Sequence, residues 1–172
     1  NQDRYIFANK KKITYWNKRL DNQKFKIGIN WYGSKDDKSF KLNNLKKIAE
    51  LPNVQLISLQ KGESEKDLKN VDFPIKSFNG EIDNDGDAFV DTAAIIVNCD
   101  LIITCDTSIA HLSGALGKKT WIILKKIPDW RWMLNRSDTP WYNNAILFRN
   151  TNIKNWKLVF DKIYKKIKTN NI

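Results

Sequence analysis

The chain is poor in the residues that would staple or metallate a small fold. Two Cys and one His are present among 172 residues. Cys99 and Cys105 flank an apolar stretch, and six extended steps separate them by roughly 20 Å. A disulfide needs about 5.5 Å between Cα atoms, so the two do not pair. Unpaired thiols imply a reducing cytoplasm. With one His and no ligand spacing, no metal site is expected. No run of eighteen apolar residues occurs, so no membrane span is expected. The first residues lack a signal-peptide pattern. They also lack an initiator Met, which reads as a piece of a longer protein. No G-x-G-x-x-G and no P-loop occur, which removes the usual dinucleotide and P-loop fingerprints.

What is there describes a globular domain. Hydrophobic residues make up 41% and aromatics 12%, enough to bury a core without staples. The net charge of +11 invites a nucleic-acid reading. Of the 30 basic residues, however, only Arg4, Arg19, Arg131, Arg136 and Arg149 are Arg. Lys, Asn and Ile are all abundant, which points to A/T-rich codons rather than to a phosphate-binding surface. Most of these Lys are read as solvated helix faces. Their field still favours an anionic ligand.

Hydrophobic periodicity alternates between strand and helix from residue 26 onward. Strands are predicted at 26–31, 54–60, 73–78 (the weakest), 100–104, 119–124 and 145–149. Helices are predicted at 42–51, 65–70, 89–98, 106–116 and 155–168. Asp106 is expected to cap the fourth of these and Gly117 to end it. Residues 1–25 read as a lead-in helix and linker. The expected fold class is α/β: a Rossmann-like, doubly wound parallel sheet of about six strands. The default order is 3-2-1-4-5-6, which reverses between strands one and four. Ligands bind such sheets at the reversal, outside the carboxyl ends of the strands.

That rule selects two loops. The loop opening at Asp106-Thr107-Ser108 leads into a helix whose free amides and dipole suit a diphosphate. Thr107 and Ser108 add hydroxyls, and His111 shares their helix face. Across from it, Gly33 to Lys41 is polar, with Lys38 able to meet a phosphate as a point charge. Asp36 and Asp37 are near enough to hold Lys38 instead. Trp130, Arg131 and Trp132, with Trp141 and Tyr142 after them, form an aromatic loop able to stack a base or a sugar ring. Each has a plain structural alternative. Asp is a common cap, a lone His is often a core residue, and aromatic loops often just pack.

The segments 91–96, 100–103 and 106–118 together resemble the donor-binding lobe of heptosyltransferase-like glycosyltransferases. They resemble more closely the glycosyltransferase domain at the C-terminus of bacterial tetratricopeptide-repeat proteins. Pro128-Asp129-Trp130-Arg131-Trp132, residues 138–142, Leu147-Phe148-Arg149 and residues 29–33 fit the same group. The resemblance implies one lobe of a two-lobed GT-B enzyme, inverting and metal-independent, with residues 26–172 binding a nucleotide-sugar and no further cofactor. It implies donor and phosphate contacts from Gly33, Lys38, Asp106, Thr107, Ser108 and His111. The catalytic base of such enzymes belongs to the N-terminal lobe, so this chain alone is expected to be inactive. The implied partners are the nucleotide-sugar, that lobe and tetratricopeptide repeats, with no specific nucleic acid. One departure is visible: Lys38-Ser39-Phe40 stands where the repeat-protein group often carries an Arg. Charge is kept and bidentate geometry is lost. Two rivals stand beside this reading: a non-catalytic scaffold of lapsed glycosyltransferase fold, and a nucleic-acid-binding domain driven by charge.

Overall fold

The computed structural model describes residues 4–34, 36–78, 80–84, 86–151 and 155–169. Five parallel strands form one sheet in the order β2-β1-β3-β4-β5. They are β1 (Phe25–Asn30), β2 (Val54–Ser58), β3 (Leu101–Cys105), β4 (Thr120–Leu124) and β5 (Ala145–Arg149). Every residue of β3 and β4 is buried, as strands covered on both faces must be. The α/β class and the reversal beside β1 are as expected. The sheet has five strands, close to the six or so expected, with the weakest predicted strand reduced to a bridge. Residues 73–78 make only a parallel bridge between Lys76 and Ile57. Two backbone bonds hold it: Ser58 N to the Lys76 carbonyl and Lys76 N to the Leu56 carbonyl, both 2.8 Å. Pro74 has no N–H to extend this edge into a ladder.

The pleat sends alternate residues to opposite faces. Leu101, Ile103 and Cys105 join one core with α2 (Lys46–Ala49) and α5 (Lys157–Thr169). Ile102 faces the other way, into a core with α1 (Lys10–Asn17) and α3 (Val90–Asn98). Gly28 makes the second face possible. A Cβ there would stand 2.7 Å from Ile102 Cδ1 and 2.9 Å from Leu59 Cδ1. The predicted helix at 42–51 begins as a 3-10 turn (Leu42–Leu45), and that near 65–70 is wholly 3-10 (Glu63–Asn70).

The lead-in segment is docked. Trp16 of α1 is buried, and its indole donates to Asp91 Oδ1 at 2.7 Å. Lys12 reaches the same oxygen at 3.0 Å. Burial alone would raise the Asp91 carboxyl, but the Trp16 and Lys12 donors and the Asp83 amide together hold it below its ordinary value. Cys99 and Cys105 are both free, and burial pushes each thiol up to about 12. Among the described residues, no helix is long and apolar enough to cross a membrane.

Candidate functional site

The ends of three strands are tied together by two buried amides. Asn30, the last residue of β1, donates through Nδ2 to Gln60 Oε1 at 2.8 Å. Gln60 Oε1 also accepts the backbone amides of Trp31 and Tyr32, at 3.3 and 3.0 Å. On its other side Asn30 Oδ1 accepts the hydroxyls of Thr107 (2.8 Å) and Thr104 (3.3 Å). Asn30 and Gln60 are both buried, so each pairing fixes the backbone beside it. The loops after β1, β2 and β3 are thereby held side by side at the carboxyl edge.

Between them lies a cleft of about 680 Å³. Gly33, Asp106, Thr107 and Ser108 line it, with Lys61 and Lys66 from beyond β2. Gly33 brings the first loop onto the third. A Cβ there would meet Thr107 Cγ2 at 3.3 Å. Thr107, not Asp106, is the N-cap of α4 (Ser108–Ala115). Its backbone is extended, and its hydroxyl accepts the Ile109 amide at 3.3 Å. The chain turns one residue later than the sequence suggests, which frees Asp106 for other partners. Ser108 opens the helix, exposed to the cleft. At the far end the helix closes as expected, on Gly117 at φ 72°.

Asp106 instead joins two loops. Its Oδ2 takes Lys38 Nζ at 2.8 Å, and its Oδ1 takes the Trp132 indole N–H at 2.8 Å. Lys38 therefore neutralises Asp106 beside the cleft rather than lining it. Asp37 does not hold Lys38, because it pairs with Lys125. The Asp36 side chain lies outside the described residues.

The aromatic loop divides by burial. Trp132 is fully buried, so it packs and positions Asp106 and offers no face to a ligand. Trp130 is 73% exposed, with Arg131 5.6 Å over its ring and Trp141 against it edge-on at 6.5 Å. Neither Trp130 nor Arg131 lines the cleft. His111 also sits behind it. Its ring stacks on Trp132 at 5.1 Å, and Nδ1 lies 2.9 Å from the Tyr142 hydroxyl. Burial first, and then the Arg131 charge, lower the His111 pKa below its ordinary value. Burial and the nearby Tyr5 push the Tyr142 phenol up. The Tyr142 ring rests on α4 at Gly114, where a Cβ would come within 2.4 Å of the ring.

Of the predicted site residues, Gly33, Asp106, Thr107 and Ser108 come together on the cleft. Lys38 and His111 are joined to it through Asp106 and Trp132. Asn30 lies in a segment that carries the family resemblance but had no role assigned to it, and Gln60 and Lys66 carried no sequence signal. An amide at a strand end shows its role only once its partners, 30 and 77 residues away, are in place.

The same architecture occurs in known structures. The glycosyl transferase family 9 protein from Veillonella parvula superposes with a TM-score of 0.64 at 13% identity, over 95% of this chain and 45% of its own. The E. coli ADP-heptose LPS heptosyltransferase II gives 0.69 at 12% identity, over 95% and 52%. An E. coli heptosyltransferase solved with ADP gives 0.65 at 14% identity, over 92% and 48%. The chain has a glycosyltransferase-type fold. It spans about half the length of the structures it matches. No protein-family model matches it, and no curated protein matches it.

Proposed function

We propose that this chain is the nucleotide-sugar-binding, C-terminal lobe of a GT-B glycosyltransferase that works by an inverting, metal-independent mechanism. One observation carries the reading: the cleft at the sheet reversal opens onto the first turn of α4, with Ser108 exposed and Gly33 leaving room for backbone approach. Backbone amides and the positive end of a helix dipole suit a diphosphate there. A neighbour of the same fold is a heptosyltransferase solved with ADP, which supports a nucleoside diphosphate as the ligand class.

In this mechanism an acceptor hydroxyl attacks the anomeric carbon of the donor. The bond from that carbon to the diphosphate oxygen breaks, and a base removes the hydroxyl proton. The lobe described here holds the departing nucleoside diphosphate as its charge grows. Ser108 and the α4 amides take that role. Lys38 supports it by offsetting Asp106 at the mouth of the cleft. Trp130 and Arg131 present an exposed face for a base or sugar. The base belongs to an N-terminal lobe, with tetratricopeptide repeats as a further part of a bacterial, cytoplasmic parent protein.

A second reading, a non-catalytic scaffold, is favoured by the cleft's own charges. Glu63, Asp67 and Asp106 line it against Lys61 and Lys66, and Lys61 already donates to the Ile82 carbonyl at 2.7 Å. Calorimetric titration with ADP, UDP, GDP and their sugars separates the two. Saturable binding of at least one supports the donor lobe. Silence across the panel gives the scaffold reading.

A further inference from the structure

A second cavity of about 670 Å³ lies at the same carboxyl edge, on the α2/α5 side of the β1 loop. It shares Tyr32 and Asp67 with the first cleft and is otherwise separate. Its size is within the range of small-molecule sites. Its lining differs from that of the first cleft. Among the described residues, four primary amides line it: Asn43, Asn44, Asn70 and Asn155. Each amide offers two donors and an acceptor oxygen with two lone pairs. Asn44 spends a donor on the Lys41 carbonyl, and Asn155 spends its oxygen on the Lys157 amide. The side chains of Asn43 and Asn70 have no partner among the described residues.

Trp156 supplies an aromatic wall. It is half-buried against the core, and its indole N–H has no partner among the described residues. Phe40 and Trp31 form the floor.

Charge decides the ligand class. The chain carries 30 Lys and Arg, yet among the described residues of the lining Lys41 is the sole cation and Asp67 the sole anion. A site for phosphate or carboxylate would gather cations, which this surface has in excess. This one gathers neutral groups that both donate and accept, beside an indole face. A ring with hydroxyls around its rim and C–H groups on its faces satisfies both features at once. Hydroxyls pair with amides in either direction, and the C–H face lies on the indole.

We propose that this second cavity binds a neutral saccharide. The site stands on its own lining and adds to the reading above only by placing a sugar next to the nucleotide cleft.

The test uses saturation-transfer NMR on the full chain, with methyl glycosides of glucose, galactose, mannose and N-acetylglucosamine and their disaccharides as probes. At least one should receive saturation. Asn43→Trp and Asn70→Trp fill the cavity from exposed positions, and each should weaken that binding at least tenfold with thermal melts unchanged. Saturating ADP should leave it in place. No transfer to any neutral saccharide overturns the proposal. So does transfer that survives both fillings, or displacement of the saccharide by adenosine, which would make the cavity a nucleobase slot. Saccharide binding without ADP binding sinks the nucleotide reading and leaves this one standing. ADP binding without saccharide binding does the reverse.

Discussion

Replacing Asp106 tests the link between the candidate site and the fold. Asp106→Ala removes two interactions together, the Lys38 ion pair and the acceptor for the Trp132 indole. Trp132 is fully buried, so its N–H is left without a partner, at a cost of about 1–3 kcal/mol. The Lys38 side chain is 21% exposed and that of Asp106 10%. Nζ therefore regains water, and losing the pair costs only about 1 kcal/mol. The sum is about 3 kcal/mol, which for a chain of this length lowers Tm by roughly 6–12 °C. Asp106→Asn keeps an oxygen for the indole and loses only the charge, so about 1 kcal/mol is expected. Lys38→Met should cost a similar amount, and the two changes should be non-additive by about 1 kcal/mol in a double-mutant cycle. Urea unfolding with coincident probes compares the three single variants and the double variant with the parent. If Ala and Asn cost the same, the Trp132 contact contributes nothing. If Asp106→Ala stays within about 0.5 kcal/mol of the parent, Asp106 is a surface residue and the site geometry is wrong.

The single His makes a second prediction clean. The His111 pKa lies below its ordinary 6.5, so the folded state disfavours the imidazolium. Its contribution to stability is complete above 6.5 and is lost as pH falls from there toward the folded value. NMR titration of the ring should give a midpoint below 6.5, and a midpoint at or above it would refute the buried stack. Gly114→Ala must push the Tyr142 ring, which lies 2.4 Å from the added carbon. Overpacking of about 1–3 kcal/mol, offset by up to ~1 kcal/mol of helix propensity, predicts a lower Tm and loss of the Tyr142–His111 contact. An unchanged melt would show that Tyr142 does not pack there.

The sheet was legible because β3 and β4 are short apolar runs, too short for helices and alternating with helical segments, as strands covered on both faces are. The reversal beside β1 followed from the alternation of elements, and with it the pairing of the loops at Gly33 and Thr107. Residues 73–78 misled because Phe73, Ile75 and Phe78 look like a strand, while Pro74 removes the donor that a ladder needs. Asp106 misled for a different reason. Asp and Thr are both favoured helix caps, and the position of the turn decides between neighbours. Trp132 read as a stacking platform by composition, whereas it is buried in a cluster with Ile122, Leu124 and Leu147 and its indole pairs with Asp106, 26 residues away. The Asn30–Gln60 pairing was not legible: Asn30 stood in a segment of the family resemblance, but nothing in the sequence joins it to Gln60, 30 residues away.

A nucleoside diphosphate would sit on the first turn of α4, and amide chemical shifts test this there directly. A labelled chain is titrated with ADP, UDP and GDP in turn while the backbone signals of Gly33 and of residues 106–111 are followed. At least one diphosphate is expected to move Gly33, Thr107, Ser108 and Ile109 along saturating curves, with the largest shift at Ser108. Signals of β5 and α5 should stay in place. Shifts confined to exposed Lys on other faces, or linear in ligand without saturation, would mean that the cleft is not a diphosphate site.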